Sequence, residues 1–115
     1  MLKIYHNPQC KKSREGLEYL KGKMIEFEIV EYLKEPLEEE ELEKLMVKLN
    51  AKPEEMVRTQ EEYYKKNLKG KKFNEHEWIR IIVQNPRLLK RPLIEGRYKA
   101  VWGEPVENID AVVKG

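Results

Sequence analysis

Cys10 is the one cysteine of the chain, and its neighbours set the chemistry open to it. It follows His6-Asn7-Pro8-Gln9 and precedes Lys11-Lys12-Ser13-Arg14. Ahead of that run, Leu2-Lys3-Ile4-Tyr5 alternates as a strand does; beyond it, Leu17 and Leu20 with Tyr19 mark a helix face. The sulfur therefore falls where a strand hands over to a helix. A helix start offers unpaired backbone N–H groups and the positive end of the macrodipole. Both favour thiolate over thiol, and the thiolate is the nucleophile. The same N–H groups receive oxyanions. A reactive sulfur and an anionic substrate thus share one address; a buried, inert structural cysteine is the alternative.

The elements that must carry this site can be read in order. Residues 2–5 form a strand and about 11–22 a helix, with Gly22 as its C-cap. Residues 27–32 mix β-branched and aromatic types and form a second strand, joined to the first by a right-handed parallel crossover. Pro36 ends the extended run, and a helix opens on Glu38 to Glu41, an acidic first turn that suits the dipole. Leu42, Leu45, Met46 and Leu49 give it one apolar stripe. Pro53 opens a short helical piece with Met56, Val57 and Arg58, and Tyr63 and Tyr64 lie on a second. The basic loop 66–72 reads as solvated chain. Asn74 and Glu77 form a capping box for a helix carrying Trp78, Ile79, Ile81, Ile82 and Val83, which Pro86 closes. His76, near its start, reads as a surface residue. Leu93–Glu95 and residues 98–102 then pair as a hairpin about Gly96-Arg97. Gly103 ends it, and Pro105 starts a last helix with Val106, Ile109, Val112 and Val113 inward.

Composition narrows the classes. At 115 residues, 40% of them hydrophobic, the chain has the length and core of one domain. Charged residues are 38%, yet the net charge is +2, so no global field recruits nucleic acid or a membrane. A lone cysteine excludes an internal disulfide and fits a reducing, cytoplasmic setting. No stretch has transmembrane length, and the opening residues lack a signal-like apolar core. Two histidines and one cysteine far apart make a poor ligand set, so no metal site is expected.

The order β-α-β, then helices, then β-β-α is the α/β, thioredoxin-like pattern with a mixed sheet. A helical segment is inserted at about 37–86 of a single domain spanning 1–115. Several stretches resemble the glutaredoxin-coupled arsenate reductase family: Tyr5 to Arg14; Arg58 after Met56-Val57; and Asn85-Pro86-Arg87-Leu88-Leu89-Lys90-Arg91-Pro92-Leu93-Ile94. Gly103-Glu104-Pro105 occupies the place of a further family motif. The resemblance implies that Cys10 attacks arsenate, with His6 and Ser13 supporting it. His6, if protonated, would stabilise the sulfur's charge. It implies an anion site formed by Arg58 and Arg91, with Arg14 adding positive potential, and a Pro92 that is cis and faces the cysteine. It implies no bound cofactor: glutathione serves as co-substrate and glutaredoxin clears the resulting mixed disulfide. That a one-cysteine chain needs an outside thiol follows from counting alone.

Each of these residues also has a plainer use. Most arginines form surface pairs worth little. His6 can satisfy loop backbone, and Ser13 can cap or back-bond in the first helical turn. One departure stands out: the family has a third arginine before the last proline, where this chain has Glu104. The competing functions are a glutathione-dependent reductase of another small substrate and an Spx-like regulator that binds RNA polymerase. The regulator's usual C-x-x-C switch is broken here by Ser13.

Overall fold

Strand β1 (Leu2–Tyr5) pairs in parallel with β2 (Phe27–Val30), Ile4 opposite Ile29, and the helix α1 (Lys11–Lys21) joins them. Parallel neighbours need such a crossover. On its other edge β1 pairs antiparallel with β3 (Leu93–Glu95), which pairs antiparallel with β4 (Ala100–Trp102). The order β2-β1-β3-β4 is the mixed sheet expected of the thioredoxin-like pattern. The computed structural model describes residues 2–113. Its chain divides into two units: the stretch through Glu35 with that from Arg91 onward, and Pro36–Lys90 between them.

In the first unit Ile4, Leu20, Ile94, Ile109 and Val112 form a buried cluster, flanked by Leu2, Leu17, Phe27 and Val101. Each large aliphatic side chain removed from water there contributes about 1.5–3 kcal/mol before chain entropy is counted. The buried face of α1 is Ser13, Gly16 and Leu20. Only the last is a large apolar residue, because the first two turns face the Cys10 loop and Pro92. A Cβ on Gly16 would stand 2.7 Å from Pro92 Cγ, and one on Gly103 would stand 2.7 Å from the same atom. Pro92 is thus clasped by two glycines, and Gly103 N–H donates to its carbonyl at 2.9 Å. Gly16→Ala should therefore lower stability by about 1–2 kcal/mol, although alanine is the better helix former, because overpacking outweighs propensity. Urea unfolding checks this; a raised midpoint would mean that the site has room.

Local details differ from the sequence reading. Strand β2 ends at Val30; Tyr32 lies beyond it in a turn where the Glu31 carbonyl accepts from Lys34 and Glu35, and its ring is fully buried. Gly22 caps α1 in the right-handed region, and the left-handed residue after the helix is Met24, at φ 56° and 92% exposed. The hairpin turn spans four residues, closed by Gly96 N–H to the Lys99 carbonyl at 2.8 Å, which shortens β4. The last helix starts as a 3-10 turn, Val106–Ile109, and continues as an α-helix over Asp110–Val113. Tyr19 Oη donates to Asp110 at 2.9 Å, and Lys23 Nζ reaches the same carboxylate at 2.8 Å, tying that helix to α1.

In the second unit, α2 (Glu39–Leu49) buries Leu42 and Leu45 and packs on α3 (Glu75–Gln84), which buries Trp78, Ile79 and Ile82. Asn74 caps α3 by accepting from Glu77 N–H at 2.8 Å, and Glu77 accepts from Asn74 N–H at 2.9 Å. Between the helices lie a 3-10 turn, Pro53–Met56, and a π turn, Tyr64–Leu68. Among the described residues no helix is long and apolar enough to cross a membrane.

Candidate active site

Cys10 is the N-cap of α1 and is half-buried. A tight turn presents it: Cys10 N–H donates to the Asn7 carbonyl at 3.0 Å, and Gln9 N–H donates to Asn7 Oδ1 at 3.0 Å. The first helical bond runs from Arg14 N–H to the Cys10 carbonyl at 3.0 Å. The neutral side chain makes no capping hydrogen bond. Burial pushes the thiol pKa up, but the Ser13 N–H, the hydrogen bond and charge of the Arg91 guanidinium, and the Lys12 N–H outweigh it. The net shift is below the ordinary cysteine value. A thiolate is the stronger acceptor, so ionisation completes the cap that the thiol leaves open.

Ser13 is fully buried, and its side chain does not serve the sulfur. Ser13 Oγ accepts from Asn7 N–H at 2.9 Å and shares a 2.7 Å hydrogen bond with His6 Nδ1. The serine thus pins the loop to the first turn of α1 through its side chain while its backbone N–H faces Cys10. His6 is only 5% exposed, and its N–H donates to the Val30 carbonyl at 2.9 Å. Burial lowers its pKa; Glu31 and the Ser13 hydrogen bond raise it, Lys21 and Arg14 lower it, and the net is below the ordinary value. His6 is therefore held neutral at pH 7 and orients the loop; the geometry favours this use over a cationic partner for the sulfur.

The sign of the resulting pH dependence is fixed. Between the folded pKa of His6 and the unfolded value of about 6.5, the unfolded chain binds more protons. Stability must therefore fall as pH drops through that window. His6→Gln removes the titration while keeping a polar side chain. Urea unfolding at pH 7.5 and 5.5 should show a smaller acid loss in His6→Gln than in the wild type; equal losses would contradict the assignment.

Arg91, half-buried beside the cis Arg91–Pro92 bond, is the arginine brought to the sulfur. Arg14 is not aimed there: its Nη1 donates to the Pro8 carbonyl at 2.9 Å, bracing the loop. Arg58 belongs to the second unit, where its guanidinium is ion-paired with Glu61, its N–H donates to the Leu88 carbonyl at 2.7 Å, and Val57 bridges Leu89. A groove lined by His6, Pro8, Lys11, Arg14, Tyr19 and Val106, among others, flanks α1 without including Cys10.

Sequence reasoning missed three features: the Asn7 turn, the glycine clasp on Pro92 and the partner of Glu104. Asn7 holds the turn through its own side chain; the Asn-Pro dipeptide was the available signal. Gly16 and Gly103 clasp Pro92, with no local signal. Glu104 reaches Lys12, its carboxylate 2.9 Å from the ammonium, over a separation that no sequence window spans.

Comparison with known proteins places these features in a family. The pattern of the ArsC family matches residues 5–112. The arsenate reductase of Neisseria meningitidis serogroup A is 38% identical over 114 residues, covering 97% of each chain. YfgD of Escherichia coli K12, described as an uncharacterized protein, is 39% identical over 97% of this chain and 96% of its own. The structure of the arsenate reductase from Vibrio cholerae superposes with a TM-score of 0.91 at 32% identity, covering 96% of each chain. The recurring name arsenate reductase among the relatives supports an enzymatic role.

Proposed function

The chain belongs to the ArsC family, and from that premise we propose that it reduces arsenate through the Cys10 thiolate, with glutathione and glutaredoxin completing each cycle in the cytoplasm. The thiolate attacks As(V) of arsenate; an S–As bond forms, an As–O bond breaks, and the oxygen leaves as water once protonated. A glutathione thiolate then attacks the Cys10 sulfur. The S–As bond breaks with its electron pair kept by arsenic, which departs as arsenite, and the two sulfurs remain joined. Glutaredoxin takes the glutathione by thiol–disulfide exchange and returns Cys10 to the thiol. Two thiols lose two electrons, and arsenic gains them.

The residues support each part. Lys12 and Ser13 N–H groups favour the ionised nucleophile. Arg91 has the planar fork that suits an oxyanion, and the α1 N-terminus adds its partial charge. Arg58 is a second guanidinium in this reading, by its motif. The chain holds no second cysteine, so the resolving thiol comes from another molecule. The observation that carries the proposal is a sulfur at a helix start whose ionised form the neighbouring Arg91 guanidinium favours.

The test is a coupled assay in which glutathione, glutaredoxin and NADPH-dependent glutathione reductase report turnover. Arsenate-dependent NADPH oxidation is expected, with arsenite as product. NADPH use that ignores arsenate contradicts the proposal. A second reading, a glutathione-linked reductase of another small substrate, is favoured by one observation, the carboxylate of Glu104 beside Lys12. It predicts weak arsenate turnover beside reduction of a glutathione mixed disulfide.

A further inference from the structure

Lys12 is the second residue of α1, and its backbone N–H acts on the Cys10 sulfur. Its ammonium, on the same turn as that N–H, lies 2.9 Å from Glu104 Oε2. Glu104 is held in place by the corner it sits on. Gly103, before it, presses against Pro92 and donates to the Pro92 carbonyl, and Pro92 follows Arg91. The carboxylate is therefore tied by short links to both sides of the sulfur: to α1 through Lys12, and to Arg91 through Pro92. Side-chain exposures of 59% and 51% for Lys12 and Glu104 place the pair in solvent beside the start of α1.

The geometry points to Glu104 as a specificity-determining residue that selects the anion's charge. The inference rests on the anion site of the proposed function. By neutralising Lys12 and placing a negative group beside the start of α1, Glu104 penalises a dianion more than a monoanion. Coulomb energy scales with ligand charge, so the penalty factor for a dianion is about the square of that for a monoanion. Arsenate near neutral pH is divided between its singly and doubly charged forms, and the site takes the former. As an isolated stabilising contact, an exposed pair like this one is worth little. Its effect is on what enters.

The test reads binding without turnover. Alkylation of Cys10 by iodoacetamide is timed with and without sulfate, an inert dianion, or nitrate, an inert monoanion. Ionic strength is held constant with gluconate. The ratio of rates cancels any change in the thiol itself. Glu104→Gln should lower the half-protecting sulfate concentration about four- to tenfold and that of nitrate about two- to threefold. Glu104→Asp should keep the wild-type discrimination, and 0.5 M salt should compress the difference by screening. Equal changes for the two anions, or a Glu104→Gln change below twofold for sulfate, overturn the inference while leaving the proposed function standing. Absence of protection by either anion in every variant removes the anion site itself, and both fall together.

Discussion

Cys10→Ser is expected to stop arsenate reduction, with loss of at least about a thousandfold in turnover. A serine hydroxyl keeps the size of the side chain and can still accept from the Ser13 and Lys12 N–H groups. Neither those groups nor Arg91 can ionise it near neutral pH, so the attack on arsenic loses its nucleophile. The later steps fail too, since no sulfur remains to join with glutathione. The fold should persist, because Cys10 is half-buried and lies outside the apolar cluster around Ile4 and Leu20. Mass spectrometry after exposure to arsenate and glutathione should show a glutathione adduct on the wild type and none on the variant. Substantial turnover in Cys10→Ser would place the chemistry elsewhere.

Arg91→Ala is expected to cost roughly a hundredfold in kcat/KM. A hydrogen bond to a charged group contributes about 1.5–3 kcal/mol, which is roughly 10- to 150-fold, and in the proposed mechanism Arg91 serves both the thiolate and the incoming oxyanion. Both terms of the ratio should suffer: kcat through a smaller thiolate fraction, KM through lost anion contacts. Arg91→Lys restores the charge without the planar fork, so partial recovery, mostly in kcat, is the expected pattern. A full recovery would mean that charge alone matters there. An unchanged kcat/KM in Arg91→Ala would separate this guanidinium from the reaction.

Much of the architecture could be read from local signals. The alternation of residues 2–5, the helix after Cys10 and the Asn74–Glu77 cap all appear where the sequence put them, and the closing hairpin appears with a longer turn, because each rests on neighbours a few residues apart. Boundaries slipped where a distant partner decided them. Tyr32 reads as the end of a strand, yet the chain turns after Val30 and carries the ring into the interior. The π turn at Tyr64–Leu68 has no sequence signature at all.

At the site, Cys10 and its helix start were plain from spacing, and Arg91 from its motif. The division of labour was not. His6 and Ser13 were expected to support the sulfur, but their side chains bond each other and Asn7 rather than the thiol. Arg14 braces the Pro8 carbonyl. Which way a side chain turns depends on the competition among nearby partners, and the buried Asn7 N–H and His6 ring had a stronger claim on Ser13. Lys12 with Glu104 and Gly16 with Pro92 are contacts between residues tens of positions apart, and only the folded chain brings them together.

The central claim is that the fold lowers the pKa of the Cys10 thiol and so favours its thiolate, and the rate of iodoacetamide alkylation against pH tests it most directly. The wild type should titrate with a midpoint below the free-cysteine value of about 8.5, and Arg91→Ala should move that midpoint upward. A wild-type midpoint at or above 8.5, unmoved by the loss of Arg91, would contradict it.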